Sequence, residues 1–300
     1  MEHSGSTTEA LLVGAAERDI TPPVGTHLCG ALVPRISTGV DDPLLVKAVV
    51  IESRGFKLAL VVLDLTMLPQ EAGDEAIRLA STATGIPRHH VFWATTQTHS
   101  APYTTGIFEE TMGAKADDAY LAKLPQTFAA AVVAADAAKE PARMCRLRGY
   151  EFTTAHNRRL RFKGGRQINT WLLGHGETDR QCLGAAGPID PELGVIAFDN
   201  MRGDIMAVLF HFTLHVNTHF GTRFSADFPA VVAARMREHF GPQVVTMHLP
   251  GCSGDVNKTP MTYREVGDRL ADVITPLLRG RQPLDGPFPL GACKREIVVP

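Results

Sequence analysis

Apolar and polar positions alternate along the chain in a way that predicts short strands and helices. Residues 44–52 and 57–65 are strand-like runs separated by a four-residue turn, which predicts a hairpin. The second run is apolar on both faces, so it is expected in the middle of a sheet. Residues 194–198 and 205–212 form another pair of strand-like runs joined by a tight turn.

Helical periodicity marks further segments, which run over residues 71–84, 117–139, 227–239 and 261–278. Gly85 and Gly241 follow two of them as stop signals, Asp227 is placed to cap the third, and Pro125 predicts a kink in the second. Strands and helices alternate, but several strand pairs are joined by tight turns. The pattern therefore predicts an α/β fold of mixed β-sheets packed together and flanked by helices, an α/β/β/α-like sandwich. One domain over residues 1–300 is expected.

Between residues 156 and 187 the chain is basic and rich in glycine, and it includes Arg158 and Arg159. We interpret this stretch as a long surface excursion, because long ordered loops in compact domains tend to be functional. A solvated insertion is an equally open interpretation. A last strand is predicted at residues 297–299.

Composition and charge narrow the class of protein. The 300 residues are 44% hydrophobic and 21% charged, as in a soluble globular protein with a sizeable core. The net charge of −2 and the lack of a basic stripe give no support for binding to nucleic acid or to a membrane surface. Five scattered cysteines without a CxxC pair argue against a disulfide framework and against a cysteine zinc site.

The N-terminus and the hydropathy bear on location. Residues 1–10 are polar and acidic, without the basic and apolar regions of a signal peptide. The sequence contains no run of 18 apolar residues, so no membrane span is expected. A cytoplasmic protein acting on a small-molecule substrate is therefore the expectation, although a secreted parent stays open.

The strongest chemical signal lies between residues 210 and 260. Three histidines recur there, as His211, His215 and His219, and an earlier segment carries Gln97 and His99. In an extended chain Gln97 and His99 point to the same face, as do His211 and His215. Neutral imidazole is the commonest protein ligand of zinc, and a catalytic zinc takes about three protein ligands plus water. Any single histidine is more often structural, and His211, inside a predicted strand, is interpreted so.

A glycine-rich turn follows the next predicted strand, at residues 251–257. Closely spaced glycines let backbone N–H groups face an oxyanion or a carboxylate. The Gly-x-Ser-x-Gly pattern of a nucleophile elbow does not occur at Ser253, and the sequence has no Walker motif and no His-Glu-x-x-His motif. By itself the turn does not specify a reaction.

Several motifs in a fixed order resemble one known family. They are DITPPVG at 19–25, Asp64 after an apolar strand, THSAP at 98–102, SADFP at 225–229 and GDVN at 254–257. In this order they resemble the N-terminal catalytic domain of the neutral/alkaline (non-lysosomal) ceramidase family. The segments NRR at 157–159 and GPIDP at 187–191 resemble the family's bacterial relatives, so the chain looks like a divergent bacterial-type relative.

The resemblance implies a zinc-dependent amidase with an N-acyl substrate, built from mixed sheets between helices, with zinc at the strand ends. His215 matches a zinc-ligand histidine of the family. His99 matches the second histidine of the family's Thr-His-Thr-His-Ser motif, which lies beside the zinc near the substrate carbonyl.

Three departures from the family pattern change the expected chemistry. Gln97 replaces a zinc-ligand histidine, and a glutamine oxygen is a neutral and weaker ligand. Asn257 stands at the position of the family's catalytic serine, which argues against a serine nucleophile and against true ceramidase activity. The family's remaining ligands, a glutamate and a tyrosine, lie beyond position 300. The resemblance thus implies a domain truncated at its C-terminus or local replacement, for which His219 and Asp255 are the nearest candidates.

The resulting expectation is a zinc-dependent, amidase-like hydrolase that attacks an amide or related acyl bond with metal-activated water. A non-catalytic small-molecule-binding relative stays open, as does a lactone or phosphate-ester hydrolase on the same scaffold. The expected metal ligands are His215, Gln97, His99 and His219. The expected catalytic residues are His99, Asp255 and Asn257. The expected substrate-binding residues are Arg158, Arg159 and Gly254.

Overall fold

The computed structural model describes residues 11–106, 113–172, 182–286, 288–295 and 298. In chain order the strands of these residues are β1 (Leu12–Asp19), β2 (His27–Leu28), β3 (Arg35–Ile36), β4 (Gly39–Val40), β5 (Leu45–Ser53), β6 (Phe56–Leu63), β7 (Val91–Thr95), β8 (Glu140–Tyr150), β9 (Ala155–Asn157), β10 (Arg159–Phe162), β11 (Gln167–Asn169), β12 (Cys182–Ala185), β13 (Glu192–Asn200), β14 (Ile205–Phe212), β15 (Arg223–Phe224), β16 (Val245–Pro250) and β17 (Val256–Lys258). The α-helices are α1 (Gln70–Thr84), α2 (Asp118–Ala137), α3 (Phe228–Phe240) and α4 (Tyr263–Arg279).

A large mixed sheet forms the centre of the protein. It has eight strands in the order β16-β14-β13-β8-β1-β5-β6-β7. Two of its neighbouring pairs, β6 with β7 and β14 with β16, are parallel, and the others are antiparallel. The joint between β1 and β8 is short, because only Leu12 with Pro141 and Val13 with Glu140 are paired there. This short joint separates two four-stranded halves.

The two halves pack face to face. One apolar cluster joins Val49 and Val62 of the first half to Leu209 and Met247 of the second. Strand β16, at one edge of the sheet, contacts β5, β6 and β7, so the two edges of the sheet meet across this interface. Helices α1 and α2 cover the outer face of the first half, and α3 and α4 cover that of the second. The predicted α/β class with mixed sheets flanked by helices is confirmed.

The hairpin of β5 and β6 shows why the sequence forms buried strands. Val46 and Val50 point into the core beneath the helices, whereas Val49 and Ile51 point into the core between the half-sheets. Because alternate side chains enter two different cores, neither face needs to be polar. The second run, β6, is therefore an inner strand of the sheet, as predicted, and the first run, β5, is an inner strand as well.

The helix ends follow the signals in the sequence, with small differences. Gly85 ends α1 in the left-handed conformation, with φ 71°, and the side chain of Asp227 accepts a hydrogen bond from Phe228 N at the start of α3. Helix α2 runs through Pro125 without interruption. Helix α4 starts at a capping box formed by Thr262 and Glu265. No helix among the described residues is long and apolar enough to cross a membrane.

The basic stretch after residue 155 is more ordered than a loop. Its described part contains β9, which pairs with β17, and a small sheet in the order β11-β10-β12. The predicted surface excursion thus contains short strands that were not identified from the sequence. Short strands with several charged side chains carry too weak an apolar alternation to be recognised in the sequence. Of the strand predicted at 297–299, only Val298 lies within the described residues, and it is not in a strand.

A buried ion pair sits on the hairpin of β5 and β6. Lys47 Nζ lies 3.0 Å from Asp64 Oδ2, and the two side chains are 2% and 0% exposed. Leu45 N donates to the same carboxylate oxygen. Burial raises the pKa of Asp64, which means that the enclosed carboxylate depends on its partners for stabilisation.

We expect Lys47→Met to lower the free energy of unfolding by about 3–5 kcal/mol at pH 8, because it leaves a buried carboxylate without its cation. The pKa of Asp64 is raised in the folded protein, so the folded state takes up a proton more readily than the unfolded state. The loss should therefore shrink as the pH falls and Asp64 becomes protonated. Urea unfolding at pH 5 and pH 8 measures both effects.

Two comparison variants make this test specific. Lys47→Met with Asp64→Asn should recover most of the loss, since no buried charge remains. Lys57→Met, which breaks the half-exposed pair with Asp136, should cost less than about 1 kcal/mol. Equal losses in the two lysine variants would contradict the importance of burial.

Candidate functional site

Three loops at the ends of parallel strands build the candidate site. Residues 96–102 follow β7, residues 213–222 follow β14, and residues 251–255 follow β16. Because β16 packs against β7 across the interface between the half-sheets, the three loops meet at one end of the sandwich. Strand ends that meet in this way are a common location for functional groups.

Two histidines face each other where the loops meet. His99 Nε2 lies 2.9 Å from His215 Nε2, and the two rings are inclined at 67°. His215 is 5% exposed, and His99 is half-buried. Two of the sequence-predicted residues are thus brought together, and their ring nitrogens point to the same place.

Backbone carbonyls fix the tautomer of both rings. His99 Nδ1 lies 2.7 Å from Gly30 O, and His215 Nδ1 lies 3.2 Å from Ser253 O. A carbonyl oxygen only accepts, so each Nδ1 must carry the hydrogen. In neutral rings both Nε2 atoms then present lone pairs to each other, at a distance where a shared cation is needed to stabilise them.

A shared proton is disfavoured as that cation. Burial lowers the pKa of His99 to about 4, with a further contribution from the neighbouring His215 ring. Burial also lowers the pKa of His215. Both imidazoles are therefore neutral near pH 7, which is the form in which histidine binds a metal ion.

The pair fits two imidazole positions of a zinc site. Gln97 is exposed between the buried residues Thr96 and Thr98, two positions before His99. Its φ of 64° is unusual for a residue other than glycine, and such strain is often found at functional sites. Among the described residues, no group of three or more histidine, cysteine, aspartate or glutamate side chains is placed to hold a metal. The predicted role of Gln97 stays a prediction.

A buried carboxylate holds the loop that carries His215. Asp227 is 0% exposed and accepts hydrogen bonds from the backbone N–H groups of Thr218, His219 and Phe228, at 2.7, 2.8 and 2.6 Å. Its own φ is 64°, a conformation that is sparsely populated outside glycine. This conformation lets the Asp227 carboxylate bond to two chain segments at once, so it ties the loop to the start of α3.

Ser225 attaches the loop of His99 to the same structure. Ser225 O accepts a hydrogen bond from Thr98 Oγ1, and Ser225 N donates to Ser100 O. His99 N in turn donates to Val216 O in the other histidine loop. The SAD motif at 225–227 is thus a positioning element, a role that the sequence alone did not reveal.

His219 lies apart from the histidine pair. Its Nδ1 lies 2.8 Å from Ser100 Oγ, and its Nε2 lies 2.9 Å from Asp41 Oδ2. The ring also stands edge-on to Tyr263. To bind a metal, His219 would have to give up one of these two hydrogen bonds, and its predicted role as a ligand stays a prediction. Ser100 is fully buried, so its hydroxyl is not exposed at the surface.

Arg35 is a buried clamp that no motif in the sequence indicated. Its guanidinium donates to Gly221 O at 2.6 Å, to Cys29 O at 2.5 Å and to His99 O at 2.8 Å. The side chain is 8% exposed and stacks under the exposed ring of Phe220. A lone arginine in a two-residue strand carries no sequence pattern, and its role follows only from the three carbonyls that meet around it.

Arg158 is the second cation beside the pair. Arg158 Nη2 donates to Gly254 O, the carbonyl next to the one that His215 uses. Its charge contributes to the lowered pKa of both His99 and His215. Of the two arginines predicted to bind substrate, Arg158 is bonded to the loop that holds His215, whereas Arg159 is exposed on β10, and both roles stay predictions.

The glycine-rich turn supports Arg158. Asp255 Oδ2 accepts a hydrogen bond from Asn157 Nδ2 at 3.0 Å, and Asp255 O accepts from Arg158 N at 2.7 Å. Asn257 lies in β17, and its Oδ1 accepts a long hydrogen bond of 3.4 Å from Asn217 Nδ2. Asp255 therefore orients the segment of Arg158. Asn257 contacts Asn217 in the loop that follows His215.

The comparisons with known proteins agree with this architecture. The neutral ceramidase from Pseudomonas aeruginosa has a TM-score of 0.74 and 18% identity, over 91% of this chain and 45% of that chain. A ceramidase complexed with C2 has a TM-score of 0.72 and 18% identity, over 91% of this chain and 44% of that chain. No protein-family model and no curated protein matches. The chain spans less than half of these two structures and shares their fold, so the expected ceramidase-like fold is confirmed.

Gly30 provides a test of the tautomer argument. A Cβ added to Gly30 would lie 2.5 Å from the Cβ and Cγ of His99, and its φ is +85°. We expect Gly30→Ala to displace the His99 ring and break its bond to Gly30 O. Nitrogen-15 NMR of the imidazoles should then show loss of the Nδ1–H tautomer at His99.

Gly25 is the matched control for this variant. Its φ is +102°, but a Cβ there would meet nothing within 4 Å. Gly25→Ala should cost the same kind of backbone strain, about 1–2 kcal/mol, and leave the His99 spectrum unchanged. An unchanged His99 spectrum in Gly30→Ala would show that the carbonyl does not fix the ring.

Proposed function

We propose that the protein is a metal-dependent hydrolase that cleaves an amide or related acyl bond with water. The observation that supports this most is the convergence of two Nε2 lone pairs, on His99 and His215, beside the guanidinium of Arg158. The ceramidases that share its fold are consistent with this class of reaction. Cytoplasmic location remains part of the proposal.

Zinc is the metal that we propose for the pair. His99 and His215 would hold it through Nε2, with the amide oxygen of Gln97 as a weaker third ligand. A bound zinc lowers the pKa of a coordinated water towards neutrality and polarises a substrate carbonyl. The carbonyls of Gly30 and Ser253 would keep both rings in the ligating tautomer.

Arg158 is the group best placed to stabilise negative charge. Its Nε is buried without a hydrogen-bond partner among the described residues, while Nη2 is held by Gly254 O. A held guanidinium with a free donor suits the oxyanion that develops when water adds to an acyl carbon. We propose that Arg158 donates to that oxyanion, with Asn257 as a second donor.

The hydrogen bonds of His99 and Asp255 limit each residue to one of the roles expected from the sequence. His99 cannot act as a general acid or base while Nδ1 is bonded to Gly30 O and Nε2 binds a metal, so we assign it as a ligand. Asp255 Oδ2 is bonded to Asn157, which favours an orienting role. Asn257 carries an amide in place of a hydroxyl, so no covalent acyl intermediate is expected at this position.

A non-catalytic binding protein is the second candidate. The observation that favours it is that His99 and His215 come together without a third histidine, cysteine, aspartate or glutamate among the described residues. Such a protein would bind metal weakly and bind small molecules without turnover. Metal stoichiometry and hydrolysis distinguish the two candidates.

We expect about one zinc ion per chain, and loss of zinc affinity by at least about 100-fold in His215→Ala and in His99→Ala, since each removes one of two imidazole ligands. Elemental analysis and competition with a zinc chelator measure the binding. Hydrolysis of a small uncharged acyl substrate, such as 4-nitrophenyl acetate, should fall in parallel. Wild-type protein that neither binds zinc nor shows metal-stimulated hydrolysis would remove the proposal.

Gln97→His tests the third ligand in the opposite direction. If Gln97 faces the metal, an imidazole there should tighten zinc binding by about tenfold or more, because imidazole is a better zinc ligand than an amide. Gln70→His, at an exposed position at the start of α1, is the matched control and should leave zinc affinity unchanged. No gain in Gln97→His would assign Gln97 to the surface.

A further inference from the structure

An open groove of about 660 Å³ lies next to the histidine pair. Its walls are formed by residues 217–220 on one side, and by Lys258 and residues 260–265 on the other. Asn217 connects the groove to the site, because its backbone N–H donates to His215 O and its side chain bonds to Asn257. The groove therefore adjoins the loop that carries His215.

The groove has an apolar wall. Phe220 is 67% exposed, and Arg35 supports its ring from below. Met261 and Pro260 face it from the other side of the groove. An aromatic ring that is held in place while most of its surface is exposed is a typical anchor for an apolar part of a ligand.

The charges of the groove are predominantly positive. Lys258 Nζ uses one of its three N–H groups, in a bond of 2.7 Å to Met261 O. The guanidinium of Arg264 lies over the ring of Tyr263, at 4.9 Å from its centre. The bond to Met261 O leaves two N–H groups of Lys258 for a ligand, and the ring contact with Tyr263 leaves the N–H groups of Arg264.

One carboxylate lines the groove, and it is already engaged. Glu265 accepts hydrogen bonds from Thr262 N at 2.7 Å and Thr262 Oγ1 at 2.9 Å, in the capping box of α4. These bonds and, more weakly, the charge of Lys258 hold the pKa of Glu265 below its usual range. Two cations thus face one carboxylate that is occupied by its own helix. The site favours an anion.

We propose that this groove binds an anionic amphiphile, a small molecule with a carboxylate or phosphate group and an apolar portion. The anionic group would contact Lys258 and Arg264, and the apolar portion would lie against Phe220 and Met261. That this bound molecule is the part of the substrate remote from the cleaved bond rests on the proposed function. Binding in the groove does not depend on that function.

Calorimetric titration of the full chain with four eight-carbon probes tests the proposal. The probes are octanoate, octyl phosphate, 1-octanol and octyltrimethylammonium. We expect both anions to bind at least about tenfold more tightly than octanol and the cation, with an affinity that falls as salt is added. Octanol or the cation binding as tightly as octanoate would overturn the proposal.

Charge variants locate the binding. Lys258→Gln and Arg264→Gln should each weaken octanoate binding by about fivefold, and the double variant by more, while octanol binding stays unchanged. Arg269→Gln is the matched control, since Arg269 is exposed on the same helix but does not line the groove. An equal loss of octanoate affinity in the control would show that the effect comes from the overall charge of the protein, and it would contradict the proposed site.

Two further readouts separate the groove from the catalytic proposal. In protein with carbon-13-labelled methionine methyl groups, the Met261 signal, assigned with Met261→Leu, should shift with octanoate; an unmoved signal would contradict the location. Hydrolysis of 4-nitrophenyl acetate reports on the histidine pair without filling the groove. Selective anion binding without hydrolysis would support the groove proposal and contradict the catalytic function. Hydrolysis without anion selectivity would support the catalytic function and contradict the groove proposal.

Discussion

Two carbonyl oxygens determine what the histidine pair can do. Gly30 O and Ser253 O each take the Nδ1 hydrogen of one ring, and the two Nε2 lone pairs are left facing each other. Both carbonyls belong to loops distant in sequence from the histidines that they hold. The chemistry of the pair therefore depends on the packing of the two half-sheets, which brings these loops together.

The polar network around the pair explains how irregular loops reach such a defined arrangement. Asp227 gathers backbone donors from two segments, Ser225 connects to the loop of His99, and Arg35 joins three carbonyls. Burying a polar group costs free energy unless the group is hydrogen-bonded, and each contact of this network satisfies two such groups. Loss of one member would therefore leave a buried partner unsatisfied. Strain at Asp227 and Gln97 is the sign that the backbone is held by this network.

The sequence predicted the regular parts of this protein better than the irregular ones. Strands and helices such as β5, β6 and α4 were predicted from the periodicity of apolar residues. His99 and His215 were recognised because they belong to motifs that follow each other in a fixed order. Arg35 and Asp41 did not, because their partners are backbone carbonyls or side chains far along the chain. The surroundings of His219 were hidden for the same reason, since spacing cannot show that its ring nitrogens are hydrogen-bonded to Ser100 and Asp41.

The electrostatic balance of the site links the pair to the groove. The two imidazoles are neutral, and the charges that act on their pKa values are those of Arg35 and Arg158. A divalent cation held by neutral ligands beside two guanidiniums leaves positive charge uncompensated, and in a buried site that charge is costly. Hydroxide, an oxyanion or a negatively charged substrate relieves it. In the proposed function, the cations of the groove beyond Asn217 would extend the same preference, so that binding of an anionic ligand and stabilisation of the oxyanion would depend on one electrostatic field.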